Sequence, residues 1–157
     1  MLRTIAPDSP RSDDVRELLD AHLHLMKGTS PPEDVHALDI DGLCVPEISF
    51  FSCRVDGHPL GVGALKHLTA SHAELKSMHT AAGARGQGIG RAMLEFLVDL
   101  ARTRGYERLS LETGTMAAFE PARTLYASIG FAPCPPFGEY PDSPNSVCMT
   151  MALAHGT

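Results

Sequence analysis

The segment Arg85-Gly86-Gln87-Gly88-Ile89-Gly90-Arg91 constrains this chain more than any other. Just upstream, residues 72–80 (His-Ala-Glu-Leu-Lys-Ser-Met-His-Thr) read as a strand. Downstream, Ile89, Met93, Phe96, Leu97 and Leu100 make one apolar stripe at helical spacing. A strand therefore feeds three alternating glycines, and a helix begins at once. Where Cβ atoms are missing, consecutive backbone N–H groups converge on one point. The unpaired N–H groups of the helix's first turn face the same way, and the helix dipole adds positive potential. Such a place holds a phosphate or pyrophosphate, and Arg85 and Arg91 can add charge-assisted contacts. The bland alternative is a glycine-rich tight turn without a ligand; three alternate glycines opening an amphipathic helix weigh against it. Two familiar phosphate loops do not fit. A P-loop needs Lys-Ser or Lys-Thr after its last glycine, and the loop contains neither. A dinucleotide fingerprint needs Gly or Ala at its sixth position, where counting from Gly86 gives Arg91 and from Gly88 gives Met93.

The rest of the chain alternates strands and helices. Leu2 to Ala6 reads as a strand ended by Pro7 and Pro10. Ser12 is placed to cap a helix with Asp13 and Asp14 in its first turn, Val15, Leu18, Leu19, His22, Leu23 and Met26 on one face, and Lys27-Gly28 at its end. Pro31-Pro32 predicts a short second helix through Leu38. Residues 47–54 and 60–68 read as a hairpin around Asp56-Gly57-His58-Pro59, and Gly61 and Gly63 mark a bulge or a close backbone approach. The glycine-loop helix ends with Arg102, Arg104 and Gly105, and 107–113 is a strand. Pro121 opens a helix with Ala122, Leu125, Tyr126 and Ile129 on one face and Gly130 at its end. Phe131 starts another strand, five prolines between 133 and 144 force an irregular excursion, and 146–153 alternates as a last strand. Three consecutive strands before the loop imply a mixed sheet in an α+β fold. Nothing suggests a repeat or a linker, so residues 1–157 read as a single domain.

Composition narrows the function. The 157 residues carry a net charge of -6, with 43% hydrophobic and 20% charged residues. That is globular composition without the basic footprint of a nucleic-acid binder. A cationic or neutral small substrate suits the charge better than a polyanion. No apolar run is long enough for a bilayer, and Met1 to Pro10 has no leader pattern, so a cytoplasmic location is expected. Cys44, Cys53, Cys134 and Cys148 show no CxxC spacing and read as reduced thiols; His22 and His24 face different ways, and no metal site is expected.

Arg85-x-x-Gly88-x-Gly90 resembles the [Q/R]-x-x-G-x-[G/A] motif of the GNAT superfamily of acyl-CoA-dependent N-acyltransferases. Leu125-Tyr126-Ala127-Ser128-Ile129-Gly130-Phe131 resembles that family's LYxxxGF signature, and the strand ending Met78-His79-Thr80 resembles its central strand. The resemblance covers about residues 60–153, with the first two helices in the family's variable acceptor-side region. Glu74 to Met78, Leu111 to Gly114 and Pro144 to Val147 look like a bacterial subgroup of poorly defined substrate. One departure is Phe119, where many relatives carry Asn three residues before the alanine matched by Ala122.

The resemblance implies a central, mostly antiparallel mixed sheet of about seven strands flanked by about four helices. It implies direct transfer of an acetyl group from acetyl-CoA to a primary amine of a small molecule or peptide, without a metal, in a chain that forms a homodimer in many such folds. Loop residues 85–91 would hold the pyrophosphate, and the backbone of Met78, His79 and Thr80 would pair with the pantetheine amides as an added strand. An alkyl ammonium must lose a proton before it attacks a thioester, and the departing thiolate needs one back. Tyr126, the tyrosine of LYxxxGF, is the implied acid, unless it is only core beside Leu125 and Ile129. Glu74 is the implied base, sharing a strand face with Lys76, Met78 and Thr80, unless Lys76 simply pairs with it; Glu112 and His79 are reserves. Phe137, Tyr140 and Asp142 are expected to line the acceptor entrance. The rival reading is a non-catalytic acyl-CoA-binding or regulatory module on the same fold.

Overall fold

A computed structural model describes residues 2–36 and 38–153. Seven strands form one sheet: β1 (Arg3–Pro7), β2 (Ile48–Val55), β3 (His58–Thr69), β4 (His72–Thr80), β5 (Arg108–Gly114), β6 (Ala132–Cys134) and β7 (Ser146–Ala152). Their order is β1-β2-β3-β4-β5-β7-β6. Every neighbouring pair is antiparallel except β4 and β5, which run parallel. Four α-helices flank it: α1 (Asp13–Thr29), α2 (Ile40–Leu43), α3 (Ile89–Thr103) and α4 (Glu120–Ile129). The fold is therefore the α+β mixed sheet expected from the sequence. Among the described residues no helix is long and apolar enough to cross a membrane.

The two faces of the sheet bury different sets of side chains. Phe50, Val62 and Ala64 pack under α1 with Val15, Leu18, Leu19 and Leu43. Their alternates Phe51, Cys53, Leu65 and Leu75 pack under α3 with Met93, Leu94, Leu97 and Val98. This is the period-2 alternation of a strand covered on both sides.

Two local expectations are corrected. Ser12 occupies the N-cap position of α1 but makes no side-chain cap; its hydroxyl lies 3.5 Å from Asp8 Oδ1 instead. The predicted helix from Pro31 to Leu38 is a single 3-10 turn at Pro32–Asp34. The short helix comes later, at α2, where Asp39 accepts a hydrogen bond from the Gly42 N–H at 2.8 Å. A true capping side chain thus outweighed a proline pair, which only excludes earlier helix.

Gly63 shows why the hairpin is light in side chains. A Cβ there would lie 2.8 Å from Met78 Sδ, 2.9 Å from Met93 Cγ and 3.0 Å from Leu97 Cδ1. α3 can reach the sheet only because that space is empty. Gly63→Val is expected to cost about 1–3 kcal/mol by overpacking, a drop of several degrees in Tm by thermal unfolding.

Candidate active site

β4 and β5 pair only over His72↔Arg108, Ala73↔Leu109 and Glu74↔Ser110. Beyond that point β5 continues against β7 as far as Gly114, while among the described residues no strand lies beside the β5-facing edge of β4 from Leu75 to Thr80. The two parallel strands open into a wedge. A bulge widens it: Val62 faces His79 and Ala64 faces Lys76, so β4 carries one residue more than β3 over this stretch. The extra residue is accommodated at Ser77, in the left-handed region with φ 56°. A cavity of about 640 Å³ fills the wedge, lined by Glu74 to Thr80, the glycine loop, Leu111 to Thr113 and the inner side of α4.

The bulge also overturns the expected strand face. Glu74 and Lys76 lie on the α1 side with Tyr140. After Ser77 the phase flips. Met78 meets Met93 and Leu97 near Gly63, and Thr80 sits at Gly90, both on the α3 side. His79 then turns to α1, its ring 5.1 Å from that of His22. Glu74 and Lys76 therefore do not share a face with Met78 and Thr80, because one inserted residue reverses side-chain direction.

At one end of the cavity is the glycine loop. Gly86 and Gly88 have φ of +82° and +80°, and nothing lies within 4 Å of a Cβ on Gly86. These glycines serve left-handed backbone in open space, not close packing. Gly88 is the N-cap of α3 and supplies no side chain to its first turn. The helix's leading N–H groups thus point into the cavity mouth without a capping oxygen, a cradle that fits a pyrophosphate. Arg85 has no ion pair among the described residues, whereas Arg91 is tied to Ser128 at 3.0 Å and Glu95 at 3.8 Å. Of the loop and strand residues expected at a cofactor, Met78, His79, Thr80, Arg85, Gly86, Gly88, Ile89, Gly90 and Arg91 line the cavity; Gln87 does not.

The other end is polar and buried. Lys76 Nζ lies 3.3 Å from Glu74 Oε2, donates to Tyr140 Oη at 2.6 Å and reaches the His36 carbonyl at 3.5 Å. The Tyr140 hydroxyl donates to Glu74 Oε2. Burial, with the adjacent Glu74 carboxylate, pushes the Tyr140 hydroxyl far above its ordinary range, so it stays a donor. The His36 ring stands edge-on to Tyr140 at 5.0 Å. Two residues past the last β4–β5 pair, and on the same face, Glu112 accepts from Ser146 Oγ at 2.6 Å. Burial pushes the Glu112 carboxyl upward. Tyr140 thus lines the cavity as expected, Phe137 packs behind it at 5.1 Å, and Asp142 is exposed and outside the lining. His36 and Ser77 were not anticipated. His36 lies in the misread segment 31–38, and nothing local in the sequence marks a serine for left-handed backbone.

Tyr126 stands on the α4 wall. It is 8% exposed and packs its ring 6.0 Å from Phe131, yet it also lines the cavity. Its hydroxyl has no hydrogen-bond partner among the described residues. Burial alone pushes it up to about 12, so it holds its proton at neutral pH. Core position and cavity wall are not exclusive here.

His22 on α1 and His79 on β4 form a neutral pair in the cavity lining. Burial, with the neighbouring His79, lowers His22 to about 4; burial and then Arg85 lower His79 to about 4. An unfolded histidine titrates near 6.5. Below that pH the unfolded chain binds more protons than the folded one, so stability is complete above about 6.5 and is lost as pH falls towards about 4. For the well-buried His22 the expected loss is on the order of 2–4 kcal/mol; the less buried His79 contributes less. Thermal melts should show Tm falling over that window, with a flatter fall in His22→Phe.

A wedge between parallel strands, a glycine-loop cradle that fits a phosphate and a buried polar cluster thus share one cavity. Known proteins show the family to which the chain belongs. Residues 13–131 match the model of the Acetyltransferase (GNAT) family. The chain is 50% identical over 139 residues to an uncharacterized N-acetyltransferase, YsnE, of Bacillus subtilis, covering 88% of this chain and 92% of that one. Among solved structures, an acyl-CoA N-acyltransferase of Klebsiella pneumoniae superposes with TM-score 0.79 at 27% identity, covering 98% of this chain and 99% of that chain. A GNAT acetyltransferase of Elizabethkingia anophelis, crystallised with acetyl-CoA bound, superposes with TM-score 0.71 at 19% identity over 96% of this chain and 98% of that one, a likeness of fold. The chain belongs to the GNAT family and is an acetyltransferase.

Proposed function

We propose that this protein transfers the acetyl group of acetyl-CoA directly to a primary amine of a small molecule or peptide. The observation that carries the reading is the single cavity running from the glycine cradle, along the unpartnered edge of β4, to the buried Glu74–Lys76–Tyr140 cluster. Acetyl-CoA supplies an activated acyl carbon and a thiolate leaving group. The amides of Gly86 to Gly90 and the charge of Arg85 hold the pyrophosphate, and the free edge of Met78 to Thr80 takes the pantetheine as a strand takes a neighbour. A backbone N–H on that edge polarises the thioester carbonyl.

Glu74 is the base. Its Oε2 is occupied by Tyr140 and Lys76, which leaves Oε1 to remove a proton from the acceptor ammonium. Tyr126 assists departure of the thiolate. A hydroxyl near 12 cannot hand its proton fully to a thiolate whose conjugate acid lies near 8.5 without a cost of roughly 5 kcal/mol. Its contribution is therefore a charge-assisted hydrogen bond to the leaving sulfur. Of the two protons the nitrogen gives up, one goes through Glu74 to solvent and the other ends on the thiol.

The test is release of free thiol from acetyl-CoA across a panel of amines. Amine-dependent release with formation of the matching acetamide supports the reading. Acetyl-CoA binding without turnover of any amine favours the acyl-CoA-binding module.

A further inference from the structure

The inner end of the cavity contains polar atoms that the protein itself leaves unmatched. Among the described residues, His36 Nε2 and Ser77 Oγ are buried without a partner, and Ser77 is only 9% exposed. Each carboxylate has one oxygen engaged, Glu74 Oε2 with Tyr140 and Lys76 and Glu112 Oε2 with Ser146. Among the described residues, Oε1 of each has no donor. All four residues line the same cavity. A carboxylate accepts only, whereas a serine hydroxyl and an imidazole nitrogen accept or donate with rotamer and tautomer, so the two free carboxylate oxygens set the demand, and a ligand rich in N–H donors meets all four groups.

Charge points the same way. Two carboxylates stand against one ammonium. Lys76 has three hydrogens, and they face three protein acceptors: the His36 carbonyl, Tyr140 Oη and Glu74 Oε2. The other cations lining the cavity, Arg85 and Arg91, belong to the glycine loop, which follows the far end of β4, on the order of 15–20 Å along the strand from Glu74. Among the described residues no further cation remains here for a ligand carboxylate, and one placed beside the reacting nitrogen would face two like charges.

Resting on the acetyl-transfer reading, we infer that the acceptor is a cationic amine with no carboxylate next to its reacting nitrogen, an aminoalkyl compound or polyamine and not a free α-amino acid, seated between Glu74 and Glu112. His36 Nε2 and Ser77 Oγ take its remaining hydrogen bonds. Burial already strains the Glu112 charge, and an arriving ammonium supplies the missing counter-charge.

L-Alaninol and L-alanine differ only by hydroxymethyl in place of carboxylate. Calorimetric titration of each, and of diaminobutane, into the protein with and without CoA decides the matter. Alaninol and diaminobutane are expected to bind at least about tenfold more tightly than alanine, and Glu112→Gln to weaken alaninol about tenfold while CoA affinity is unchanged. Equal or tighter binding of alanine, absence of amine binding at millimolar concentration, or indifference to Glu112→Gln would overturn the acceptor class. Failure to bind CoA would overturn the transfer reading instead, and the titration into the protein alone would still decide the acceptor.

Discussion

Replacing Tyr126 with Phe is expected to lower kcat by about 10²–10³-fold, the cost of losing one hydrogen-bond donor to developing charge, with little change in stability or in CoA affinity. The substitution removes one hydroxyl and keeps the ring that packs against Phe131. Because that hydroxyl has no partner among the described residues, its loss leaves nothing newly unsatisfied, and Tm should hold. A purely structural tyrosine would give the same Tm with unchanged kcat. Steady-state kinetics beside a thermal melt therefore separates the two roles, and unchanged turnover would remove Tyr126 from the mechanism.

Glu74 carries the second large effect, and two substitutions divide it. Glu74→Ala leaves Lys76, only 10% exposed at its side chain, without its carboxylate. Breaking a buried pair from one side costs about 3–5 kcal/mol, which denaturant unfolding would register. Glu74→Gln keeps an oxygen for Tyr140 and Lys76, so the fold should survive, but an amide cannot take a proton. Its kcat/KM is expected to fall about 10²–10⁴-fold, with partial recovery as pH rises and more of the amine arrives deprotonated. A uniform loss at every pH would make Glu74 a structural ion pair and pass the base role elsewhere.

How much of this was legible follows from the range of each determinant. The glycine loop, α3 and α4 are local patterns: apolar residues at helical spacing, Pro121 at the start of α4, Gly130 at its end. They read correctly because nothing distant competes with them. The segment after α1 did not, since its helix depends on one capping contact from Asp39 over four residues, too short to show periodicity. The Ser77 bulge was legible only in part. It arises from register against β3; Gly61 and Gly63 pointed to an irregularity there but not to the extra residue on β4. Strand alternation taken without the bulge put Glu74, Lys76, Met78 and Thr80 on one face and hid the polar cluster's true partners. Lys76 meets Tyr140 across 64 residues and His36 across 40, separations that only the folded sheet brings together.

The central claim is that the Arg85–Arg91 loop and the wedge beside β4 bind acetyl-CoA. A thermal-shift series with acetyl-CoA, CoA, ATP and NAD tests it most directly. Ligand at about 100 times its Kd should stabilise the protein by about 2.7 kcal/mol, roughly 5–10 °C for a domain of this size. A shift of that size with acetyl-CoA and CoA, and none with NAD, is the predicted result. No shift at millimolar acetyl-CoA, or an equal one with NAD, would contradict the account.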